Sequence, residues 1–213
     1  MTQLQTQLVT DQWIAATWDE YLKIIEDPAF DKASCYYHNG NLRIEMPPLG
    51  HDHACDNTII SFAVNLFCTL KGIPLKGLTN CTYRKTGIDD CQPDLSYYIG
   101  DNAQVVPWKT RIIDLDQYPI PALFIEIADT SLADDKGEKR LQYEDLKVAE
   151  YWIVDVENIQ ILAFAIADGG SRRISESQVL PALKMSVLAE ALRRTRQMDQ
   201  AQVGAWLLSQ FQQ

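Results

Sequence analysis

The chain contains no C-x-x-C pair. Its five cysteines, Cys35, Cys55, Cys68, Cys81 and Cys91, are odd in number and scattered. A four-cysteine structural zinc site is therefore not expected, and reduced thiols in a cytosolic core are the simpler reading. No run of apolar residues approaches the length needed to cross a bilayer. Met1 to Thr10 is polar and lacks the charged-then-apolar order of a signal peptide. A cytoplasmic protein without a membrane anchor is the expectation. Internal repeats and low-complexity tracts are also missing. So is an excess of basic charge: 19 Lys and Arg stand against 29 Asp and Glu, a net charge of −10. That balance argues against broad, non-specific nucleic-acid binding. Any such contact must come from a local basic patch or from bound cations.

What is present supports a folded core. Apolar residues make up 46% of 213 residues, enough for one domain with elaborations. Thr17 with Glu20 three residues later forms a capping box, which predicts a helix carrying Trp18, Tyr21, Leu22 and Ile25 on one face and ending near Pro28. Leu42 to Met46 alternates apolar and polar after the turn His38-Asn39-Gly40-Asn41, and Pro47 and Pro48 end the strand. From about His53 to Leu70, apolar residues recur at helical spacing, with Gly72 and Pro74 as the stop.

Further strands are expected at Cys81–Lys85, Pro93–Ile99, Ala122–Ala128, Tyr151–Val156 and Ile159–Ile166. The stretch Asp101–Pro121 reads as a long loop or a short extra element. A polar helix is predicted over roughly Ala133–Lys147, and Asp168-Gly169-Gly170 reads as a turn. Asp199 with Gln202 is a capping-box variant opening a last helix with Val203, Trp206 and Leu207 on its apolar face. The order of elements implies an α/β fold, a mixed sheet flanked by helices, with helices appended at both ends.

One residue breaks the apolar logic. Glu126 interrupts Leu123-Phe124-Ile125-Glu126-Ile127, a run otherwise suited to a central strand covered on both faces. Burying an unpaired carboxylate costs several kcal/mol in order of magnitude, so a lysine, an arginine or a metal must compensate it. Asp94 follows Pro93 at the start of another strand. If the two strands are neighbours, the two carboxylates converge and repel. A hard divalent cation such as Mg²⁺ removes the conflict and prefers oxygen ligands. On the helical reading, Asp135, Lys139 and Tyr143 lie four apart on one face. A lysine near the metal could orient or deprotonate water and stabilise charge developing on a phosphoryl group.

Each of these residues also has a plain reading. Glu126 could sit in a buried salt bridge, and Asp94 could be a turn carboxylate. Lys139 lies in the charge-rich stretch Asp134 to Arg140, which reads locally as a solvated face. Glu45 alternates away from Leu42, Ile44 and Met46 and reads as the polar side of a strand. His51, His53 and Cys55 hint at zinc, but their spacing cannot place all three on one helical face.

The string Pro93-Asp94, then Glu126-Ile127, then Asp135-x-x-x-Lys139-x-x-x-Tyr143, then Glu150-Tyr151-Trp152-Ile153-Val154-Asp155, resembles the Uma-type family of restriction-endonuclease-like proteins within the PD-(D/E)XK nuclease superfamily. Gly40 to Pro48 followed by His53 extends the resemblance, which covers roughly residues 36–166. The core motif departs in one place: Ala128 stands where the superfamily carries a lysine two residues after the glutamate, and the Uma-type pattern moves that lysine onto the next helix, at Lys139.

The resemblance implies a restriction-endonuclease-like fold over 36–166, between an N-terminal helical segment (1–35) and a C-terminal hairpin and helical extension (167–213). It implies Mg²⁺ or Mn²⁺ at Asp94 and Glu126, catalysis by Asp94, Glu126 and Lys139, and auxiliary roles for His53, Glu45 and Tyr143. The expected substrate is DNA, cut at its phosphodiester bonds, with a homodimer as the simplest way to cut both strands. The competing expectation is a nuclease-like fold that binds nucleic acid or a protein without cutting.

Overall fold

In the computed structural model, residues 10–46 and 50–212 are described. The expected strand stop at Pro47 and Pro48 lies outside them. The chain begins with β1 (Ile14–Ala15) and α1 (Trp18–Ile25), whose Thr17–Glu20 capping box forms as expected. A hairpin follows, β2 (Ser34–His38) and β3 (Asn41–Glu45). Its two-residue turn has φ 47° at Asn39 and 77° at Gly40, the left-handed pair that matches strand twist. Helix α2 (His51–Lys71) is the long core helix, closed by Gly72 at φ 65°.

Next come β4 (Leu75–Thr79), β5 (Thr82–Lys85), β6 (Asp89–Cys91), β7 (Leu95–Ile99), β8 (Ile112–Asp114) and β9 (Leu123–Ala128). Helices α3 (Leu132–Lys136) and α4 (Glu138–Asp145) precede β10 (Glu150–Asp155), β11 (Gln160–Ala167) and β12 (Gly170–Ile174). The chain closes with α5 (Met185–Thr195) and α6 (Gln200–Phe211), the latter opened by the Asp199–Gln202 capping box.

The strands form two six-stranded sheets rather than the single sheet expected. One has the order β1-β3-β2-β6-β5-β8, the other β12-β11-β10-β9-β7-β4. Strands β1, β4, β6, β8 and β12 are short or mixed in pattern, so little in their sequence announces them. The predicted 133–147 helix is broken at Gly137 into α3 and α4. The residue adopts φ −103° and ψ −106°, and a Cβ there would lie 3.1 Å from the Ala133 carbonyl oxygen.

The second sheet separates two cores. Alternation on β9 sends Leu123, Ile125 and Ile127 to one face, where they pack with Ile60, Val64 and Phe67 of α2 and with Leu188 and Leu207 of α5 and α6. Phe124, Glu126 and Ala128 point to the other face. There Phe124 and Ala128 join Tyr83 of the first sheet, Tyr143 of α4 and Tyr151 of β10. Glu126 is thus aimed into the space between the two sheets. The five cysteines are all free thiols. Among the described residues no helix is long and apolar enough to cross a membrane.

Candidate active site

Strands β7 and β9 are antiparallel neighbours, with Leu95 opposite Ile125 and Tyr97 opposite Leu123. Extending that register by one residue sets Asp94 opposite Glu126, and directly opposed side chains share a face of the sheet. The backbone records the approach: the Asp94 N–H lies 3.4 Å from Oε2 of Glu126, and Oδ2 of Asp94 accepts from the Ile127 N–H at 2.8 Å. Nε2 of His53, in the first turn of α2, lies 3.2 Å from the same Asp94 oxygen.

Lys139 is drawn into this point from α4. It is only 1% exposed, so the solvated-face reading of its segment does not hold for it, whereas Lys136 is exposed. Its Nζ lies 3.0 Å from Oε1 of Glu45, 3.3 Å from Oδ1 of Asp135 and 3.7 Å from Oε1 of Glu126. It also donates to the Tyr36 hydroxyl at 3.3 Å. The Lys139–Asp135 contact is the i, i+4 pair read from the sequence, and it survives the break at Gly137. The Tyr143 hydroxyl, one turn further, donates to Oε1 of Glu126 at 2.5 Å.

Glu45 is likewise not on an open polar face. The polar side of β3 turns inward over α3, where Nε of Arg43 bonds Oε1 of Glu45 at 2.8 Å and faces Asp134 at 3.2 Å. His51 and Cys55 do come together on the exposed side of α2, at 3.5 Å, while His53 faces Asp94. The spacing argument against a shared three-residue zinc site therefore agrees with the structure.

The electrostatics follow from burial and charge. Burial pushes the Glu126 carboxyl well above its ordinary range; the Lys139 ammonium opposes this shift, and the Asp94 carboxylate adds to it. Burial alone would lower the Lys139 value, but Asp135, Glu126, Tyr36 and Glu45 outweigh it and hold the ammonium charged. Burial raises Glu45, yet the neighbouring Lys139 and Arg43 bring it below the usual range. For His53, burial works downward and the Asp94 contact prevails, raising the imidazole.

These groups line a cleft of about 560 Å³ that includes Tyr36, Glu45, His53, Asp94, Glu126 and Lys139. Among the described residues no three His, Cys, Asp or Glu side chains are arranged as a ready-made metal cage. The donor set still suits a magnesium-like ion, which keeps several waters and binds through one or two carboxylates. A cation would also offset the burial and the Asp94 repulsion that push the Glu126 carboxyl upward. Sequence reasoning missed Tyr36 and Arg43, and saw in Asp135 only a helix-face neighbour of Lys139. No local signal marks Tyr36 or Arg43, because their role comes from packing across the two sheets.

The Uma2 family profile, described as "Putative restriction endonuclease", matches residues 18–201. A solved structure titled as that of a putative nuclease belonging to DUF820, from Anabaena variabilis, superposes with a TM-score of 0.54 at 17% identity, covering 90% of this chain and 99% of that one. At that identity the likeness speaks to the fold alone. No curated protein matches the chain. With both sheets, the carboxylate pair and the α4 lysine in place, the match over 18–201 shows that this chain belongs to the Uma2 family.

Proposed function

We propose that the cleft is the active site of a metal-dependent endonuclease that hydrolyses DNA phosphodiester bonds. The observation that carries this reading is the convergence of Asp94 and Glu126 on adjacent strands with Lys139 3.7 Å from Glu126. Asp94 and Glu126 would hold Mg²⁺ or Mn²⁺. When bound, such an ion polarises a phosphoryl oxygen and lowers the pKa of water.

The chain's own residues have separable tasks. His53 and the Ile127 N–H orient the Asp94 carboxylate. The Tyr143 hydroxyl fixes one oxygen of Glu126 and leaves the other toward Asp94. Lys139, ringed by carboxylates, stays protonated and therefore serves as a fixed cation. It orients water and stabilises charge growing on the phosphoryl oxygens rather than accepting a proton. Glu45, Asp135 and Tyr36 hold that ammonium in place. A double-strand break is most simply made by two such clefts related by a twofold axis; sedimentation with and without DNA tests for the dimer.

The direct test is purified protein with plasmid DNA in Mg²⁺, Mn²⁺ or EDTA. The expected result is cleavage that needs metal and disappears in Asp94→Ala and Glu126→Ala. A folded protein that binds Mn²⁺ but cuts neither plasmid nor oligonucleotides would favour a binding module. Cleavage restricted to dinucleotides would move the substrate to small phosphodiesters.

A further inference from the structure

The cleft itself repels its proposed substrate. Its lining carries Asp11, Asp31, Glu45, Asp94, Glu126 and Asp129 against Lys32, Arg43 and Lys139, and the whole chain carries −10. Apart from the scissile phosphate, met by the proposed ion and Lys139, a phosphate backbone needs cations elsewhere on the molecule.

One surface has the opposite character. Trp108 is 87% exposed at the tip of the loop between β7 and β8. A lone exposed ring is by itself ordinary; what sets this one apart is the cations gathered round it. The tip is built rather than loose. Pro107 leads into it, the Thr110 hydroxyl donates to the Pro107 carbonyl at 2.8 Å, and Lys109 takes φ 75°, a left-handed conformation uncommon outside glycine. The Lys76 ammonium sits 5.4 Å from the Trp108 ring centroid, which ties the tip to β4.

Lys109 and Arg111 flank the ring and are exposed, and no acidic residue occurs from Asn102 to Ile113. Arg43, Arg84, Arg140, Arg193, Arg194 and Arg196 are each tied to a carboxylate. Lys76, Lys109 and Arg111 are paired with none among the described residues.

The patch is connected to the cleft. β4 is an edge strand of the second sheet, antiparallel to β7, with Lys76 opposite Tyr98. Tyr98 is four residues beyond Asp94, about 14 Å at 3.4 Å per residue. Ser96 and Tyr98 are buried between the sheets, so the route from the patch to the cleft runs along the free edge of β4, where Gly77, Thr79 and Asn80 are exposed. At the near end, Asn80 lines the cleft and its N–H donates to the Asp94 carbonyl at 3.1 Å. Arg111 immediately precedes Ile112, which pairs with Thr82, so it stands beside the same junction.

Resting on the nuclease reading, we propose that this lane along β4 binds a single-stranded segment of nucleic acid continuous with the strand in the cleft, stacking an unpaired base on Trp108 while Lys76, Lys109 and Arg111 meet its phosphates. A free indole face suits unstacked bases of any identity, and cations in line track a backbone.

The test is fluorescence anisotropy with labelled oligothymidylates of about four and about twelve nucleotides, and a matched duplex, in EDTA so that nothing is cut. The longer single strand should bind the wild-type protein at least tenfold more tightly than the shorter one. Trp108→Ala should weaken the longer strand by roughly fivefold to a hundredfold, and Trp108→Phe should retain most of the affinity. Lys109→Ala with Arg111→Ala should flatten the log–log salt slope by about 1.4, two phosphates at about 0.7 each.

Affinity in Trp108→Ala within twofold of wild type, or failure of the wild type to bind either strand, overturns the proposal. The two readings fail separately. Metal-dependent cleavage with Trp108-independent binding removes only the lane, and Trp108-dependent binding without cleavage on any substrate removes only the nuclease.

Discussion

The Tyr143 hydroxyl donates to Oε1 of Glu126 across 2.5 Å, at the same oxygen that faces the Lys139 ammonium. One carboxylate oxygen is thereby held by the protein, while Oε2 is left beside Asp94. This division explains how a glutamate 2% exposed can be tolerated inside a strand and still offer a ligand atom.

Tyr143→Phe removes that donor without changing the shape of the ring. Leaving a buried acceptor short of its partner costs about 1–3 kcal/mol, and loss of a partner that orients a metal ligand lowers affinity by about 10–100-fold. We expect a lower urea midpoint, together with a Mn²⁺ titration shifted to higher concentration. An unchanged Mn²⁺ isotherm would remove the orienting role.

Glu126→Gln is expected to abolish cleavage while leaving the metal-free protein as stable as wild type or more so, since an active-site charge is held at the expense of the fold. The pH dependence has a definite sign. The folded-state value of Glu126 is raised well above the 4.5 of a free glutamate. The folded state therefore binds the proton more tightly, and this contribution to stability is complete below about 4.5 and lost as pH rises through the folded value. The wild-type melting temperature relative to Glu126→Gln should fall with rising pH across that window. Saturating Mn²⁺ should reverse the trend, because the ion binds the ionised form.

Lys139→Met should both stop cleavage and unfold the protein more readily. The ammonium is the common partner of Glu45, Asp135 and Glu126, and removing one member of a buried ion pair costs about 3–5 kcal/mol. Adding Asp135→Asn to Lys139→Met should recover part of the stability and none of the activity. Urea denaturation of the single and double variants measures the coupling.

Glu150 provides the contrast, since it belongs to the same family string yet lies away from the cleft. Its carboxylate accepts from the Trp152 indole at 2.9 Å, the Ser177 hydroxyl at 2.8 Å and the Val179 N–H at 3.0 Å, and from the Gln178 N–H as well. These bonds pin the 177–180 turn that leads to α5. Glu150→Ala should therefore lower stability by about 3 kcal/mol or more, as four donors lose their acceptor. Metal affinity of the folded fraction should stay at the wild-type level; a selective loss of Mn²⁺ binding would make Glu150 part of the site.

The elements legible in the chain were those whose pattern is local. Capping boxes at Thr17 and Asp199, the Asn39-Gly40 turn, the apolar face of α2 and the lone acid of β9 each follow from spacing that a dozen residues contain. Short strands such as β6 and β8 were not legible, because three residues carry no period to read and their pairing partners are remote in sequence.

The sequence by itself determined that an acid would be buried in β9 and that its family pattern pairs it with Asp94 and a helix lysine. The family pattern also singled out Lys139 over Lys136. Only the tertiary structure decided that Lys139 is buried, that Glu45 and Tyr36 arrive from the other sheet to hold it, and that Trp108 folds over Lys76 beside an edge strand. Side-chain periodicity states which face a residue takes. What lies across from that face depends on how two sheets stack, and that is set by contacts between segments far apart in the chain, 103 residues in the case of Tyr36 and Lys139.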